Sequence, residues 1–383
     1  MNFTRKIIRT IRFILIAFVI LLLADFFNGE NNNNKNIQNS KIKQLLFYES
    51  ENIIFNKKIE IHYLLKSFPS PNNIKTKYLL MQIPKYWNGD CGGLANQMWR
   101  FAVLYSLAKS IGRFPGISYT NTWTCEKLNS PREIENTFPI FHAVRYFFDV
   151  EGIDNSFYDR TFEDDCCKYY NPKILNKYKS KYLIIAPPPQ SPKYFYKIEN
   201  EIKELFTFSK NVQRRVDKRI ENLFKDDNSH KFCVFTRRGD FIKPEWKEWH
   251  KATDKEFTEK AIEFIIENEL KSENTNAISI VLLGEDKVFL SQLTITNKSK
   301  NVYIPESMKR GEDMCFAITI CNTLLITASS STFGWWIGYL LKQRNAKVYF
   351  DADFSNSIYK KDNYPSSWIP LIYNNKLKKK ENK

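Results

Sequence analysis

Apolar runs and amphipathic segments alternate regularly between Lys231 and Phe350, and this alternation restricts the fold more than any other feature. The apolar runs are rich in β-branched and aromatic residues and lead at once into turn residues, as buried parallel strands do. The predicted strands are Lys231–Thr236, Ala277–Leu283, Asn301–Ile304, Thr323–Thr327 and Lys347–Phe350. The predicted helices are Asp254–Leu270, a short one after Gly284–Asp286, Asp313–Ile320 and Ser331–Leu341. This order predicts right-handed βαβ units in a Rossmann-like parallel sheet.

The preceding half of the chain shows a similar but weaker alternation. Strands at Lys77–Ile83 and Lys181–Ala186 flank helical segments, which predicts a second α/β domain, with Pro187–Pro189 near the crossing between domains. A length of 383 residues and a hydrophobic content of 43% suit two globular domains. We therefore expect an amino-terminal domain over residues 77–200 and a carboxyl-terminal domain over residues 201–383.

The first 27 residues predict a membrane anchor. Phe13–Ala24 is uninterrupted apolar, and Ile7–Phe27 reaches the length of a membrane-spanning helix if its arginines extend toward the headgroups. Basic residues precede the apolar run, so the amino terminus should stay in the cytosol while the body enters the secretory lumen. A cleaved signal peptide is the alternative, but Leu22 stands where cleavage requires a small residue. The expected order is a cytosolic tail over 1–6, a signal anchor over 7–27 and a stem or linker over 28–76.

Net charge and cysteine content narrow the choice of partners. A formal charge of +16 suits an anionic ligand, an anionic membrane face or nucleic acid. Nucleic acid is the weakest of these, because no basic helix, zinc-ligand spacing or RNA-binding signature occurs.

Seven cysteines in a secretory lumen can form disulfides, and their odd number leaves at least one thiol free or paired between chains. Cys233 and Cys321 lie in apolar segments and are expected to be buried and structural. Asn297, which begins the sequence Asn-Lys-Ser, is a predicted glycosylation site on a surface loop.

The loop after the first strand of the regular region carries the most informative polar residues. Arg237, Arg238, Gly239 and Asp240 follow the run that ends at Thr236. Ligands of open α/β sheets bind beyond the carboxyl ends of strands, and two guanidiniums placed there can hold a diphosphate bidentately. Gly239 permits close backbone approach, and Asp240 can orient an arginine or accept a proton. In isolation these residues would favour an ordinary surface turn with a local Arg–Asp pair, so the interpretation depends on the neighbouring loops.

Two other loops follow predicted strands and open helices. Ser330, Ser331, Thr332 and Phe333 place hydroxyls and backbone N–H groups at a helix amino terminus, which suits a phosphate. Simple N-capping by Ser331 is the alternative, and it is compatible with ligand binding.

The glycine-rich loop is the third, and it holds Gly92, Gly93, Asn96 and Gln97 before a helix. Glycines between a strand and a helix permit a ligand to approach the backbone closely. The loop matches neither the dinucleotide-binding nor the P-loop pattern, so its spacing alone is weak support for a nucleotide site.

Taken together, the three loops resemble the α-1,2-fucosyltransferases, glycosyltransferase family 11. The segment from Gly92 to Met98 is similar to the family's G-G-L-G-N-Q-M. The segment from Phe235 to Phe241 resembles its H-V-R-R-G-D-Y, and that from Ser329 to Trp336 resembles its S-N-S-T-F-S-W-W. The motifs occur in the family's order and span most of the predicted luminal body. This chain departs from them at Phe235, Ala95 and Ser330, where the family has histidine, glycine and asparagine.

The resemblance implies a GT-B-like α/β fold in which two Rossmann-type domains face a cleft. It implies inverting transfer of L-fucose from GDP-fucose to a galactose hydroxyl of a glycan in α-1,2 linkage, with no metal or other cofactor, by a single-pass type II protein of the Golgi membrane. Arg237 and Arg238 would hold the diphosphate, with Asp240 beside them. Gly239 and Ser330, Ser331, Thr332 and Phe333 would line the donor site. Gly92, Gly93, Asn96 and Gln97 would face the cleft from the amino-terminal, acceptor-side domain.

Several alternatives stay open at the level of sequence. Asp240 is the first candidate for a general base, although orienting the arginines is its favoured role, and Glu245 and His250 are alternatives. Asp351-Ala-Asp353 resembles the manganese-binding D-x-D of GT-A glycosyltransferases, but its position after the last strand favours a turn. A fucosyltransferase of different linkage, or a non-catalytic GT-B-like protein that binds glycans or nucleotide sugars, would also fit these motifs.

Overall fold

The structure is a computed structural model that describes residues 63–379 apart from 71–72, 82–92, 119–135, 142–143, 145–148, 151–157, 162–166, 186–188, 271–276, 296–298, 344, 356 and 375. The predicted tail, the signal anchor over 7–27 and most of the stem lie outside these residues, as do Gly92 and Asn297. Among the residues described, no helix is long and apolar enough to cross a bilayer.

The amino-terminal part of the described chain forms a five-stranded parallel sheet. Its strands are β1 (Tyr78–Met81), β2 (Phe114–Ser118), β3 (Asp149–Val150), β4 (Tyr158–Thr161) and β5 (Tyr182–Ile185). They lie in the order β3-β2-β1-β5-β4, so β1, the first in sequence, is central. Its neighbours start in register with it, because Tyr78 is paired with both Phe114 and Tyr182. All three therefore begin at the same edge of the sheet.

The carboxyl-terminal part forms a seven-stranded sheet in the order β12-β11-β10-β9-β6-β7-β8. Its strands are β6 (His230–Phe235), β7 (Ile278–Leu283), β8 (Asn301–Tyr303), β9 (Thr323–Ile326), β10 (Lys347–Asp351), β11 (Ile369–Asn374) and β12 (Lys376–Lys379). Every pairing is parallel except that of β11 with β12. The loops that follow β6, β7 and β9 consequently emerge side by side at one edge, since these strands are neighbours.

Helices connect the strands and cover the sheets. They are α1 (Leu94–Ser110), α2 (Glu199–Leu205), α3 (Lys210–Phe224), α4 (Lys255–Ile265), α5 (Lys287–Ser291), α6 (Arg310–Ile320) and α7 (Thr332–Leu340). Asp254, Asp286 and Ser331 cap α4, α5 and α7 by accepting backbone N–H hydrogen bonds. The predicted domain boundary between residues 200 and 201 falls inside α2, where Glu201 accepts hydrogen bonds from Tyr105 and Lys109 of α1.

One apolar cluster extends from the smaller sheet across the junction between α1 and α7 to one face of the larger sheet, and a second cluster covers the other face of the larger sheet. Trp99 of α1 is fully buried, and its ring centroid lies 4.3 Å from that of Trp335 and 5.4 Å from that of Trp336. The Trp336 indole N–H donates to the Ala95 carbonyl at 3.1 Å. This aromatic junction therefore fixes the amino-terminal ends of α1 and α7 close to each other.

The predicted α/β class, with two largely parallel sheets, is confirmed. The predicted start of the helix at Asp313 is wrong: α6 begins at Arg310, and Asp313 lies inside its first turn, accepting a hydrogen bond from the Met308 backbone N–H at 3.0 Å. Strands β2, β3, β4, β11 and β12 were not expected. The prediction for Cys233 and Cys321 is confirmed, since both are buried and they form a disulfide.

Candidate active site at the carboxyl edge of the larger sheet

The loop after β6 is joined to the end of β9 through a single threonine. The Arg237 backbone N–H donates to Thr253 Oγ1 at 2.8 Å, and the Thr253 N–H donates to the Arg237 carbonyl at 2.9 Å. The Thr253 hydroxyl also lies 2.9 Å from that of Thr327, which directly follows β9. Because both threonines are buried, these hydrogen bonds are shielded from water and fix where the Arg237 side chain starts.

Arg237 projects from this anchored loop between two carboxylates. Its Nη2 lies 2.7 Å from Asp240 Oδ1, and its Nε lies 3.9 Å from Glu285 Oε1. About a third of the side chain is exposed, at 34%, so the guanidinium is within reach of a ligand. The contact with Asp240 matches the predicted role of that residue in orienting an arginine. Gly239 is tightly enclosed as well, since a Cβ there would lie 2.8 Å from Glu285 Oε1.

Arg238 has different partners. Its Nε donates to Asp286 Oδ2 at 3.2 Å, its Nη1 donates to the Thr253 carbonyl at 3.1 Å, and the guanidinium lies 4.4 Å from the Phe289 ring centroid. Two donor groups of Arg238 therefore form hydrogen bonds within the protein. The shorter of the two ion pairs of Arg237 is the one with Asp240. The two guanidiniums do not form a symmetric pair, and Arg237 is the one better placed to receive an anion.

His250 links this loop to the serines after β9. Its Nδ1 lies 2.9 Å from Ser330 Oγ, and its ring stacks on Phe241 with centroids 4.3 Å apart. Burial lowers the pKa of His250 to about 4, with Arg237 acting in the same direction and Asp240 opposing it. The imidazole is therefore neutral near pH 7, so it contributes hydrogen bonding and shape here rather than positive charge.

The neutral state of His250 should make stability depend on pH. Since its pKa falls from 6.5 to about 4 on folding, the unfolded chain binds a proton that the folded chain does not within that window. Its stabilising contribution is complete above pH 6.5 and is lost as the pH falls toward 4. We expect His250→Gln to reduce the loss of unfolding free energy between pH 7 and pH 4 by about 2 kcal/mol.

Urea unfolding of wild type and variant at several pH values would measure this effect. The difference between the two proteins is the informative quantity, because burial also raises the pKa of Asp313 to about 6 and so makes an opposite contribution over part of the range. Parallel curves for wild type and His250→Gln would contradict the assignment.

The serine segment after β9 combines N-capping with an open helix end. Ser331 Oγ accepts a hydrogen bond from the Gly334 N–H at 3.3 Å, which confirms the predicted cap of α7. Ser330 and Ser331 are buried, while Thr332 and Phe333 are partly exposed. Because β6 and β9 are neighbouring parallel strands, the amino terminus of α7 lies at the same edge of the sheet as the Arg237 loop, a placement that suits an anion.

The Phe235 ring occupies the space beside Gly334, so a larger side chain at position 334 would collide with it. The Phe235 ring stacks on that of Phe333 with centroids 5.9 Å apart, and a Cβ at Gly334 would lie only 2.7 Å from Phe235 Cδ1. In the quoted family motifs the two positions hold histidine and serine, so a larger side chain at one position coincides with a smaller one at the other. Phe235 and Gly334 therefore occupy a shared volume.

Exchanging both residues should recover stability that one exchange loses. We expect Gly334→Ser to lower the free energy of unfolding by about 1–3 kcal/mol through overpacking against Phe235. The double variant Phe235→His with Gly334→Ser should be more stable than the sum of the single effects predicts. Chemical denaturation of the four proteins measures the coupling, and strictly additive losses would show that the two positions are independent.

The glycine-rich loop reaches this region from the other sheet. A Cβ on Gly93 would lie 3.3 Å from Arg310 Nη1 of α6, so the loop end contacts the larger sheet's half of the protein. Asn96 Oδ1 accepts a hydrogen bond from Gln190 Nε2 at 3.5 Å, and Gln190 Oε1 accepts one from the Tyr359 hydroxyl at 2.6 Å. The structure thus places Gly93 and Asn96 at the meeting of the two halves, and their role in facing a ligand cleft stays a prediction.

Gln97 does not match the expectation of an open cleft residue. Its side chain is buried, at 3% exposure, because it lies on the side of α1 that turns into the core. Its Oε1 has no hydrogen-bond partner in the part of the chain that the structure describes. Gln97 is therefore an internal polar residue behind the cleft-facing Asn96.

The paired carboxylates at the end of β10, Asp351 and Asp353, have a partner of their own. Lys251 Nζ lies 3.0 Å from Asp351 Oδ2 and 2.8 Å from Asp353 Oδ2. Burial raises the pKa of Asp351, and the lysine opposes that shift. The prediction placed this segment after the last strand, which is wrong, because Asp351 ends β10 and β11 and β12 follow. The lysine contacts join the segment to the loop that carries His250.

Sequence reasoning missed Thr253 and Glu285 as parts of the site. Glu285 Oε1 accepts a hydrogen bond from the Arg238 backbone N–H at 2.9 Å besides lying near the Arg237 side chain. The place of Glu285 in the site could have been predicted from the sequence, because this residue comes just after β7 and the carboxyl ends of adjacent parallel strands lie at one edge of the sheet. Thr253 gave no comparable signal, since it follows no strand and precedes the cap of α4.

Comparison with known proteins places the chain in a family. The family model named glycosyl transferase family 11 matches residues 73–372. The chain belongs to glycosyl transferase family 11. The family resemblance drawn from the three motifs is confirmed, and so is the prediction that the protein is a glycosyltransferase enzyme.

Two relatives of this family 11 member come from Caenorhabditis elegans. One, svh-11, is 30% identical over 318 residues, covering 79% of this chain and 81% of the relative. Another, galactoside 2-alpha-L-fucosyltransferase, is 28% identical over 332 residues, covering 79% of this chain and 78% of the relative. Among solved structures, NodZ alpha-1,6-fucosyltransferase co-crystallized with GDP matches with 13% identity and a TM-score of 0.43, covering 80% of this chain and 99% of that one.

Proposed function

We propose that this family 11 glycosyltransferase moves L-fucose from GDP-fucose to a galactose hydroxyl, forming an α-1,2 linkage with inversion at the anomeric carbon. The observation that carries the proposal is the convergence of Arg237 and the amino terminus of α7, joined through the hydrogen bond between His250 and Ser330. A guanidinium and a helix amino terminus at one sheet edge suit a diphosphate. The names of relatives such as galactoside 2-alpha-L-fucosyltransferase support fucose as the sugar and galactose as the acceptor.

The reaction breaks the bond between the fucose anomeric carbon and the diphosphate oxygen while the acceptor oxygen forms a new bond to that carbon. The electron pair of the broken bond leaves with GDP, so negative charge grows on the diphosphate. Arg237 and the N–H groups at the start of α7 would stabilise that charge in place, and Arg238 would secure the loop that carries Arg237. Gly93 and Asn96 would contribute the acceptor side from the other half of the protein.

The acceptor hydroxyl must release a proton during this step, and Asp240 is the nearest carboxylate in the loop. Its contact with Arg237 at 2.7 Å favours an orienting role. The pH–rate profile of Asp240→Asn against wild type would decide between the roles. If Asp240 only orients Arg237, the variant should be slower at every pH with the shape of the profile unchanged.

We propose that catalysis proceeds without a divalent cation, because arginine and helix-terminal N–H groups can neutralise the leaving diphosphate. Turnover in excess EDTA should then equal turnover with added manganese. Loss of activity in EDTA that manganese restores would favour the metal-dependent alternative, with Asp351 and Asp353 as the residues to test first.

The deciding experiment is product analysis. Purified protein would be incubated with GDP-fucose and galactose-terminated glycans, and the linkage and anomeric configuration of any product determined by NMR. An α-1,2-fucosylated galactose supports the proposal, and another linkage or another acceptor sugar would correct it. Binding of GDP-fucose in a thermal-shift assay with no product from any glycan would instead indicate a non-catalytic binding protein.

For the cellular setting we propose a Golgi membrane protein held by the segment Ile7–Phe27 with its body in the lumen. The basic residues before that segment and the family membership support this orientation. Amino-terminal sequencing of the mature protein would test it, since a cleaved signal peptide would remove the anchor. Glycosidase sensitivity at Asn297 would report a luminal body.

A further inference from the structure

The amino edge of the smaller sheet, opposite the carboxyl edge of the same sheet, carries a row of cations. Lys77, Arg113 and Lys181 immediately precede β1, β2 and β5, and these neighbouring strands start in register. Adjacent strands lie about 4.8 Å apart, so the three cations begin side by side along the edge. A row of like charges opposes its own formation unless an anion or solvent screens it.

More lysines surround this row without matching carboxylates. Lys75, Lys173, Lys177 and Lys179 are all exposed on the neighbouring segments. Residues 63–81, 93–118 and 168–185 contain no aspartate or glutamate at all. In the described part of the chain, none of these four lysines forms an ion pair. We call the seven cations together the basic edge; they are Lys75, Lys77, Arg113, Lys173, Lys177, Lys179 and Lys181.

A cavity of about 290 Å³ opens at the basic edge. Lys75 and Lys77 line it together with Arg113, which is only 4% exposed. The Arg113 guanidinium is held rigidly, since it donates to the Tyr78 carbonyl at 3.1 Å and the Tyr178 carbonyl at 2.8 Å. The cavity thus has a fixed positive floor and two mobile ammonium groups at its rim, which suits an anionic headgroup of small size.

Two isoleucines protrude among these lysines. Ile74 is 87% exposed beside Lys75, and Ile174 is 43% exposed beside Lys173. A single exposed isoleucine is ordinary on a protein surface. Protruding aliphatic side chains inside a cluster of lysines are the combination by which a surface binds the interface of an anionic bilayer. A nucleic acid or a sulfated polysaccharide would match the lysines but would leave the isoleucines in water.

We propose that the basic edge docks on a membrane surface that exposes anionic phospholipid headgroups. Its position agrees with this occupant, because residues 73–77 lead into β1 at this edge and the predicted anchor precedes them in sequence. Docking there turns the carboxyl edges of the strands, where Gly93 and Asn96 lie, away from the bilayer. The proposal does not depend on which sugar the enzyme transfers.

The test uses the full chain reconstituted with vesicles, so the readout must report contact of the basic edge rather than attachment through the amino terminus. Ile74→Cys carrying an environment-sensitive fluorophore is the reporter, and Val288→Cys, which replaces an apolar residue with 68% exposure on α5, is the matched control. We expect blue-shifted emission from position 74 on vesicles with about 30 mol% phosphatidylserine, less on pure phosphatidylcholine, and no shift from position 288.

Charge removal completes the test. Replacing Lys75, Lys77 and Lys181 by glutamine should weaken the phosphatidylserine dependence by roughly fivefold per lysine, on the order of a hundredfold together. The control replaces Lys210, Lys218 and Lys225, which are exposed at α3, and removes the same net charge. Equal emission on both vesicle types, or equal effects of the two triple variants, would overturn the proposal. So would retention on immobilised heparin through the basic edge with no spectral change on vesicles, which would indicate a sulfated polysaccharide.

Discussion

Replacing Arg237 by alanine is expected to lower turnover roughly a hundred- to a thousand-fold, equivalent to about 3–4 kcal/mol of lost transition-state stabilisation. The size follows from where the charge develops: the leaving diphosphate gains negative charge in the transition state, and Arg237 is a partly exposed guanidinium on the loop that His250 joins to Ser330 just before α7. Asp240 holds it in place at 2.7 Å, so no reorganisation is needed when the charge appears. Transfer of radiolabelled fucose from GDP-fucose to a galactose-terminated acceptor would measure the change.

Two further variants separate a role in donor binding from general loss of charge. Arg237→Lys keeps the positive charge but loses the planar fork, so it should recover only part of the rate. Arg214→Ala removes an exposed arginine from α3 and should leave turnover nearly unchanged. Near-normal activity of a folded Arg237→Ala protein would contradict a role for Arg237 in donor binding. Arg238 would then be the next residue to test.

The fold of the larger sheet was largely predictable because its strands are continuous apolar runs that end in turn residues. The strands that escaped prediction lack that signal for identifiable reasons. β2 contains Pro115 and Gly116, which both disfavour strands, and it is a strand because β1 beside it supplies partners for its backbone. β12 consists mostly of lysines at the outer edge of the sheet, where pairing with β11 alone decides its conformation.

The candidate site was predictable in outline and not in its contacts. Arg237 and Ser331 could be brought together from sequence, since both follow strands of one parallel sheet. The partners that set their geometry lie far along the chain from them: Thr253 is 16 residues from Arg237, and Ser330 is 80 residues from His250. Which side chain of a loop meets which neighbour depends on backbone register and on volume, as the pairing of Phe235 with Gly334 shows.

Trp99→Ala is expected to cost the protein about 3–5 kcal/mol of unfolding free energy, the usual loss for truncating a fully buried tryptophan. The loss should also weaken the coupling between the two halves, because Trp99 belongs to the helix beside β1 while Trp335 and Trp336 belong to the helix beside β9. Differential scanning calorimetry should therefore show one transition in wild type and two in the variant. Trp99→Phe should be much milder, since the Trp99 indole N–H has no hydrogen-bond partner among the described residues.

Phe101→Ala is the control that isolates the junction from simple loss of packing. Phe101 lies on the same helix and is equally buried, but its ring meets Phe141 at 4.3 Å within the amino-terminal half. Phe101→Ala should lower the free energy of unfolding by a similar amount, about 3–5 kcal/mol, and the variant should still unfold in one calorimetric transition. If both variants keep a single transition, the halves are coupled by contacts other than the aromatic junction. If the junction does couple them, Trp99→Ala should also raise the KM for the acceptor, because Asn96 and the start of α7 are held together through these rings.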